Sequence, residues 1–177
     1  MEVTMIYYPT EKELRLCKEA LWVTMGKVKK AETPISDELL RKILIARHSP
    51  IRVLNFGFLI EDIPSNISTH LARHVHAIPF ISSLRNDRQD EIDGDNAPRN
   101  TPVDMIFYCN AEELLTIANK RLCMKASEKT REAVRMMCNE VETRFPAFKG
   151  LFVPNCEWHN GICHEKDGCG RYPSDNR

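Results

Sequence analysis

The stretch Thr69-His70-Leu71-Ala72-Arg73-His74-Val75-His76, followed from position 81 by Ile81-Ser82-Ser83-Leu84-Arg85-Asn86, decides how this chain reads. Three of its six histidines lie between positions 70 and 76. On a helix His70 and His74 stand one turn apart on a shared face, with Arg73 beside them. Two histidines so placed can ligate zinc, but no nearby glutamate completes an H-E-x-x-H pattern. A polar helix face paired with a neighbouring acidic segment fits the same residues, and so does an anion or cofactor site. In the second piece a hydroxyl stands two residues before an arginine, in a turn. Serine and backbone N–H groups donate and arginine adds a bidentate fork, so the piece can cradle a phosphate. Such a tripeptide on its own is usually a solvated loop. Its place twelve residues after Arg73, beyond a helix expected to end at Pro79, singles it out.

Outward from there the elements alternate. Upstream, Arg52 to Glu61 carries Val53, Phe56, Phe58 and Ile60 and reads as a strand. Pro64 opens a helix from Ser65 to about Val75. Val3 to Tyr8 reads as a first strand. Thr10 and Glu13 form a capping-box pattern for a helix from Glu11 to about Lys27. Ser36 caps a second helix, which stops before Ser49-Pro50. Downstream, Asp87 to Asn100 is one long polar loop. Val103 to Cys109 is a strand, Asn110 caps a helix through Lys120, and Ser127 caps Glu128 to Arg144. The order β-α-α-β-α-β-α-α predicts a single α/β (α+β) domain over 1–150, with a Cys/His-rich tail, 151–177, packed on it.

At 177 residues the chain can bury roughly 70% of its unfolded surface without disulfides. Lys plus Arg and Asp plus Glu are balanced at 25 each. That argues against a general electrostatic binder of nucleic acid or of anionic membrane. No apolar run approaches the roughly 20 residues of a membrane span, and the N-terminus lacks the pattern of a secretory signal. The seven cysteines are then expected to be mostly free thiols in a reducing cytoplasm. Cys17, Cys109, Cys123 and Cys138 fall in apolar-periodic segments and read as small core residues. The tail adds Cys156, His159, Cys163, His164 and Cys169. Zinc wants four N or S ligands, and Cys156, His159, Cys163 and Cys169 are the candidate set. The spacing matches no standard knuckle; packed thiols, a disulfide, or contact with a cofactor or substrate are the alternatives.

In this order the pieces resemble the flavin-dependent thymidylate synthases, whose signature reads R-H-R-x-x-S-x-N-E-x-S-x-R-Y. Its first Arg and His fall on Arg73 and His74, and its second Ser and last Arg on Ser83 and Arg85, without a gap. The flanks agree. Phe56-Gly57-Phe58 matches an F-x-F strand, and Ser49-Pro50 keeps an H-x-[ST]-P element with His48 displaced by one. Asn110-Ala111-Glu112-Glu113-Leu114 matches N-x-x-[SE]-L and is followed by Arg121, Ala126 and Arg131. Pro154-Asn155-Cys156, Cys163 and Cys169-Gly170 look like the tail of some members. Val75, Ile78, Phe80, Ile81 and Asn86 replace signature residues, His70 stands for a Gln, and Ser127 for another.

The resemblance implies one domain with a central, mostly antiparallel sheet flanked by helices. It implies FAD held by Arg73 and His74, with His76 standing in for the Arg lost at Val75 and His48 close by. It places a nucleotide phosphate on Ser83, Arg85 and Arg121, with His70 and Arg131 also on the substrate side. The implied reaction is reductive methylation of a pyrimidine deoxynucleotide monophosphate at C5. Methylenetetrahydrofolate gives the carbon, NADPH the reducing power, and no protein nucleophile is needed. The ligands are expected to lie between subunits of a homotetramer. The phosphate-holding residues survive while those around the base have changed, which alters the base accepted more than whether a nucleotide binds. dUMP is the expected ligand. The alternatives are methylation or hydroxymethylation of dCMP, a flavin- and nucleotide-binding relic without catalysis, and, from another class, a zinc-stabilised interaction domain.

Overall fold

The computed structural model describes residues 1–89 and 92–173. Along the chain run β1 (Glu2–Tyr7), α1 (Glu11–Thr24), α2 (Asp37–Ile45), a 3-10 turn (Ser49–Val53), β2 (Asn55–Pro64), α3 (Ser65–Ala72), β3 (Ile78–Ile81), β4 (Pro102–Asn110), α4 (Ala111–Arg121), α5 (Glu128–Arg144), a second 3-10 turn (Pro146–Phe148) and α6 (Asn155–Trp158). The strands form one sheet in the order β1-β2-β4-β3, and each neighbouring pair is antiparallel.

Local chemistry sets four of the helix starts where the sequence predicts. Thr10 closes a full capping box with Glu13, and Ser36, Asn110 and Ser127 each accept a backbone N–H in the first turn of their helix. Three expectations are corrected. α1 stops at Thr24, because Gly26 takes φ +73° and the N–H of Lys27 returns to the carbonyl of Trp22. The strand expected from Arg52 starts at Asn55, since Pro50 opens a 3-10 turn instead. α3 ends at Ala72, the residues expected to form its last turn make a tight turn instead, and Ile78–Ile81 beyond it make a fourth strand, β3. Pro79 has no N–H for a ladder, but among the described residues β3 is an edge strand paired only with β4, where a proline is tolerated.

One face of the sheet is the core. Val103, Met105, Phe107 and Cys109 alternate inward along β4, and Phe56, Phe58 and Ile60 on β2 join them under α4 and α5. Phe148 stands edge-on to Phe56 at 5.6 Å and stacks on Phe152 at 5.7 Å. Leu151 and Phe152, at the start of the tail, are therefore part of the same core. Cys17, Cys109 and Cys138 are buried as expected, whereas Cys123 is half-exposed. On the opposite face Tyr7 and Tyr108 meet at 5.4 Å across Gly57, whose missing side chain leaves room for both rings. That face continues into Ile78, Phe80 and Ile106, with Phe80 61% and Ile78 53% exposed. Among the described residues no helix is long and apolar enough to cross a membrane.

Candidate functional site

The site grows from the end of α3. Arg73 caps the helix, and a tight turn follows, with the N–H of Ala77 on the carbonyl of His74 at 3.0 Å. The turn sends His74 inward and leaves Arg73, Val75 and His76 on the surface. His74 is 6% exposed and Glu113 7%. α4 holds this imidazole at both ends. Asn110 caps the helix by accepting the N–H of Glu113 at 2.9 Å, and the Glu113 carboxylate lies 3.2 Å from Nδ1 of His74. From the last turn of α4, Nε of Arg121 lies 3.0 Å from Nε2 of His74. A second guanidinium nitrogen, Nη2, donates to the carbonyl of His70 at 3.0 Å.

The protonation follows from the donors. A guanidinium only donates, so Nε2 of His74 accepts from Arg121, and Nδ1 carries the proton and donates to Glu113. Burial, then the charges of Arg121 and Lys120, lower the pKa of His74 to about 4, so the ring is neutral at pH 7. Burial pushes the Glu113 carboxyl above its ordinary range, against the pull of His76 and Lys120. Arg121 is lowered by its own burial and by Arg73, and stays cationic. Glu113, His74 and Arg121 thus form a buried chain of acid, neutral ring and base.

Three cavities surround this chain. One, of about 340 Å3, is lined by Glu113, His76 and Arg52. A second, of about 400 Å3, lies between α4 and the tail and is lined by Lys120, Arg121, Cys123, Cys156 and Cys163. The third, of about 310 Å3, is lined by Ser65, Asn66, Thr69, His70, Arg73 and Arg99. The predicted residues Arg73 and His70 therefore share a cavity, and Arg99 joins them. Arg99 is pinned there because its carbonyl accepts from the N–H of Asn66 and the hydroxyl of Ser65, both at 2.9 Å. His70 bonds through Nδ1 to Thr130 at 3.1 Å, and Thr130 to the α5 cap Ser127 at 2.7 Å.

The other predicted residues keep different company. Ser83 accepts the N–H of Arg85 at 3.2 Å, as a phosphate-cradling turn would. The Arg85 fork, however, closes on Asp87 with two bonds of 2.8 Å. Arg131 donates to the carbonyls of Met124 and Ala126 and braces the turn between α4 and α5. His48 is exposed, ahead of the 3-10 turn, and gives it no side-chain cap; the residue turned into the protein is its neighbour Arg47. In the tail Cys163 is buried, Cys169 exposed, and His159 packs edge-on to His164 at 4.8 Å. Among the described residues no three His, Cys, Asp or Glu side chains gather as a metal site, so Cys156, His159, Cys163 and Cys169 are not brought together as zinc ligands.

Sequence reasoning missed Arg47 and Arg99, and gave Glu113 no role at His74. For Glu113 a signal exists, since Asn110 three residues earlier fixes the start of α4 and so which way the acid faces. For Arg99 none exists, because its position depends on how the long loop returns.

By sequence, no protein-family model and no curated protein matches this chain. By structure it matches a flavin-dependent thymidylate synthase from Helicobacter pylori complexed with FAD and dUMP. The TM-score is 0.69 at 16% identity, over 86% of this chain and 98% of the other. A second structure of that enzyme with FAD and dUMP gives 0.69 at 15%. A UMP/dUMP methylase, PolB, from Streptomyces cacaoi bound with 5-Br dUMP gives 0.65 at 14%, over 85% of this chain and 93% of the other. At these identities the likeness fixes the fold, which is that of the flavin-dependent thymidylate synthases.

Proposed function

We propose that this chain, with the fold of the flavin-dependent thymidylate synthases, binds FAD and a pyrimidine deoxynucleotide 5′-monophosphate and methylates the base at C5. The observation that carries the reading is the meeting of Arg73, His74 and Arg121 around the end of α3, the residues that the signature pairs with flavin and phosphate. The fit to FAD is local. The cavity of about 310 Å3 holding Arg73, Arg99 and the hydroxyls of Ser65 and Thr69 suits a phosphate and a sugar, but not a whole dinucleotide. The rest of FAD would lie across the surface next to His76. Bound and reduced by NADPH, the flavin supplies hydride, with methylenetetrahydrofolate as carbon source.

The chain's own work is then binding and orientation. Arg73 and Arg99 take the anionic part of the cofactor, and His76 lies at the neighbouring cavity. Arg121 holds the nucleotide phosphate, its direction fixed from behind by His74 and the carbonyl of His70. Ser83 and Arg85 add a second grip, and they reach this phosphate from another copy of the chain. The apolar outer face supports that assembly: Val75 is 89% exposed next to His74, and Ile78 and Phe80 extend the patch. We read the assembly as a cytoplasmic homotetramer.

dUMP is the favoured substrate. dCMP is the second reading, because Ile81 and Asn86 have replaced a carboxylate and a phenol around the base. The test is a titration of dUMP, dCMP and their nucleosides against the fluorescence of the bound flavin. Monophosphates should bind and nucleosides fail. Arg73→Ala should release the flavin, and Arg85→Ala should weaken the monophosphate roughly 10- to 150-fold, the value of one charge-assisted contact. Equal affinity for nucleoside and nucleotide, or stoichiometric FAD in Arg73→Ala, overturns the reading.

A further inference from the structure

We propose that Glu113 is a positioning residue: through the tautomer of the buried His74 it sets the direction in which Arg121 presents its guanidinium to an anion. The proposal rests on the reading of Arg121 as a phosphate-holding group, and its geometry stands apart from that reading.

α4 supplies both ends of the chain, Glu113 from its first turn and Arg121 from its last, and His74 is the bar between them. Each ring nitrogen has one partner, and the partners differ in kind. Arg121 can only donate, and an ionised Glu113 can only accept. One tautomer satisfies both, with the proton on Nδ1. The opposite tautomer sets N–H against N–H at Arg121 and a bare lone pair against the carboxylate. Buried at 6% exposure, the ring has little water to absorb that mismatch. Arg121 and Glu113 together select that ring state, and Glu113 anchors it by taking the Nδ1 hydrogen, which would otherwise be buried without an acceptor. With Nη2 on the carbonyl of His70, the guanidinium is held at two points. Arg121 also lines the cavity it shares with Lys120. A bidentate fork gains most when its plane is fixed before the ligand arrives. Unlike Arg73 and Arg85, which are exposed, Arg121 is held in this way.

The test has two arms on the full-length protein. The first is nitrogen NMR of the histidine rings and of the arginine Nε–H groups. In the wild type His74 should show the neutral Nδ1–H form at pH 7, with a slowly exchanging Nε–H on Arg121. Glu113→Gln keeps an acceptor and should keep both signatures; Glu113→Met should lose them. The second arm is titration with dUMP, with deoxyuridine as the control. Glu113→Met should weaken dUMP about tenfold, near the low end for a charge-assisted contact, leave deoxyuridine unchanged, and be rescued by Glu113→Gln. A wild-type His74 in the Nε2–H or imidazolium form overturns the proposal, and that measurement needs no variant to fold. So does a Glu113→Met protein that binds dUMP within twofold of wild type while Arg121→Ala loses tenfold or more; the nucleotide reading would then stand. If Arg121→Ala binds dUMP like wild type while Glu113→Met has lost the NMR signatures, the nucleotide reading fails and the positioning role survives.

Discussion

Replacing Arg47 with methionine should cost the fold about 2–4 kcal/mol, more than most single surface changes. Arg47 is half-buried between the end of α2, the face of α4 and the tail. Its guanidinium donates to the hydroxyl of Thr116 at 3.2 Å, to the carbonyl of Glu112 at 3.4 Å and to the side-chain oxygen of Asn119. It also lies 4.5 Å over the ring of Trp158. Asn119 in turn donates to the carbonyl of Val153 at 2.7 Å, so one cation ties the tail to α4. The three bonds share one half-buried cation and do not add, so together they contribute about 3–5 kcal/mol, and the ring contact adds about 1 kcal/mol. Against this, Nε is buried without a partner among the described residues, an orphan donor that costs about 1–3 kcal/mol and disappears with the mutation. The backbone strain at φ +52° is common to Arg and Met and cancels. The net loss should lower Tm by roughly 5–15 °C for a chain of this size. Thermal unfolding followed by circular dichroism measures it, and limited trypsinolysis at Lys166 and Arg171 should speed up in parallel. A Tm within 2 °C of wild type would refute the view that Arg47 clamps the tail.

Acidification should destabilise the fold through His74. Its folded pKa, about 4, lies below the 6.5 of an exposed ring, so the unfolded chain binds a proton that the folded chain refuses. Stability is full above pH 6.5 and falls toward pH 4, by about 3 kcal/mol at most. Glu113, shifted upward by burial, offsets part of this, since it takes a proton more readily folded than unfolded. Urea unfolding at pH 7 and 4.5 should show the drop, and His74→Gln should flatten it. Asp87→Asn should free the Arg85 fork and raise affinity for a phosphate monoester a few-fold, while stability moves by less than about 1 kcal/mol because the pair is exposed. An unchanged monoester affinity, measured by calorimetry, would show that Asp87 does not compete with the ligand. Gly94→Ala should disorganise the long loop, since a methyl there would overlap the backbone carbonyl oxygen of Leu84. Faster amide exchange between 84 and 96 with an unchanged core is the expected reading.

The helices were legible wherever a cap announced them. Thr10, Ser36, Asn110 and Ser127 each begin a helix because a short polar side chain satisfies an N–H that the helix cannot. The central strands were legible because they bury one face and alternate. β3 was not, because a four-residue edge strand containing a proline, with most of its side chains exposed, carries neither alternation nor a ladder donor to betray it. The site was legible as a list of residues but not as a set of contacts. Arg73 and His74 are neighbours in sequence, yet the turn after α3 sends one to solvent and buries the other. The place of Arg121 after Leu114 marks it as a ligand group; that a neutral imidazole backs it depends on two side chains about two turns apart on α4 both reaching one ring. Arg47 carries no such signal, because a residue at φ +52° points its side chain where no helical or strand period predicts.

The changed signature positions share a physical character that bears on specificity. Ile78, Phe80 and Ile81 all belong to β3, where Ile78 pairs with Tyr108 and Phe80 with Ile106. β-branched and aromatic residues are what a pleated edge strand accepts. Asn86 is taken up by the long loop: its carbonyl oxygen accepts the N–H of Gly94 at 2.6 Å, and its amide donates to Asp95 at 3.3 Å. These positions now serve the sheet and the loop. The retained ones, Arg73 and His74 before β3 and Ser83 and Arg85 after it, flank the strand and keep charges or hydroxyls free of the ladder. A nucleotide docked beside β3 would thus meet polar groups at both ends and an apolar strand between them. Hydrogen bonds to the base must then come from elsewhere, and we propose that His70 supplies one: it is hydrogen-bonded to Thr130 and stands between the cavity assigned to the cofactor, beside Arg73 and Arg99, and Arg121, which donates to its carbonyl. Its Nδ1 is committed to Thr130, which leaves Nε2 for the ligand. If Thr130 donates, Nδ1 accepts and Nε2 carries the hydrogen, which suits the O4 acceptor of a uracil. If Thr130 passes its proton to Ser127 and accepts from His70, Nε2 is an acceptor and suits the amino group of a cytosine. On that proposal the Ser127–Thr130 pair, at 2.7 Å, would govern which base the site reads. Ser127→Ala, which leaves Thr130 without that acceptor, should turn the Thr130 hydroxyl toward His70 and shift the ratio of dUMP to dCMP affinity toward dUMP. A ratio unmoved by the substitution would remove His70 from base selection.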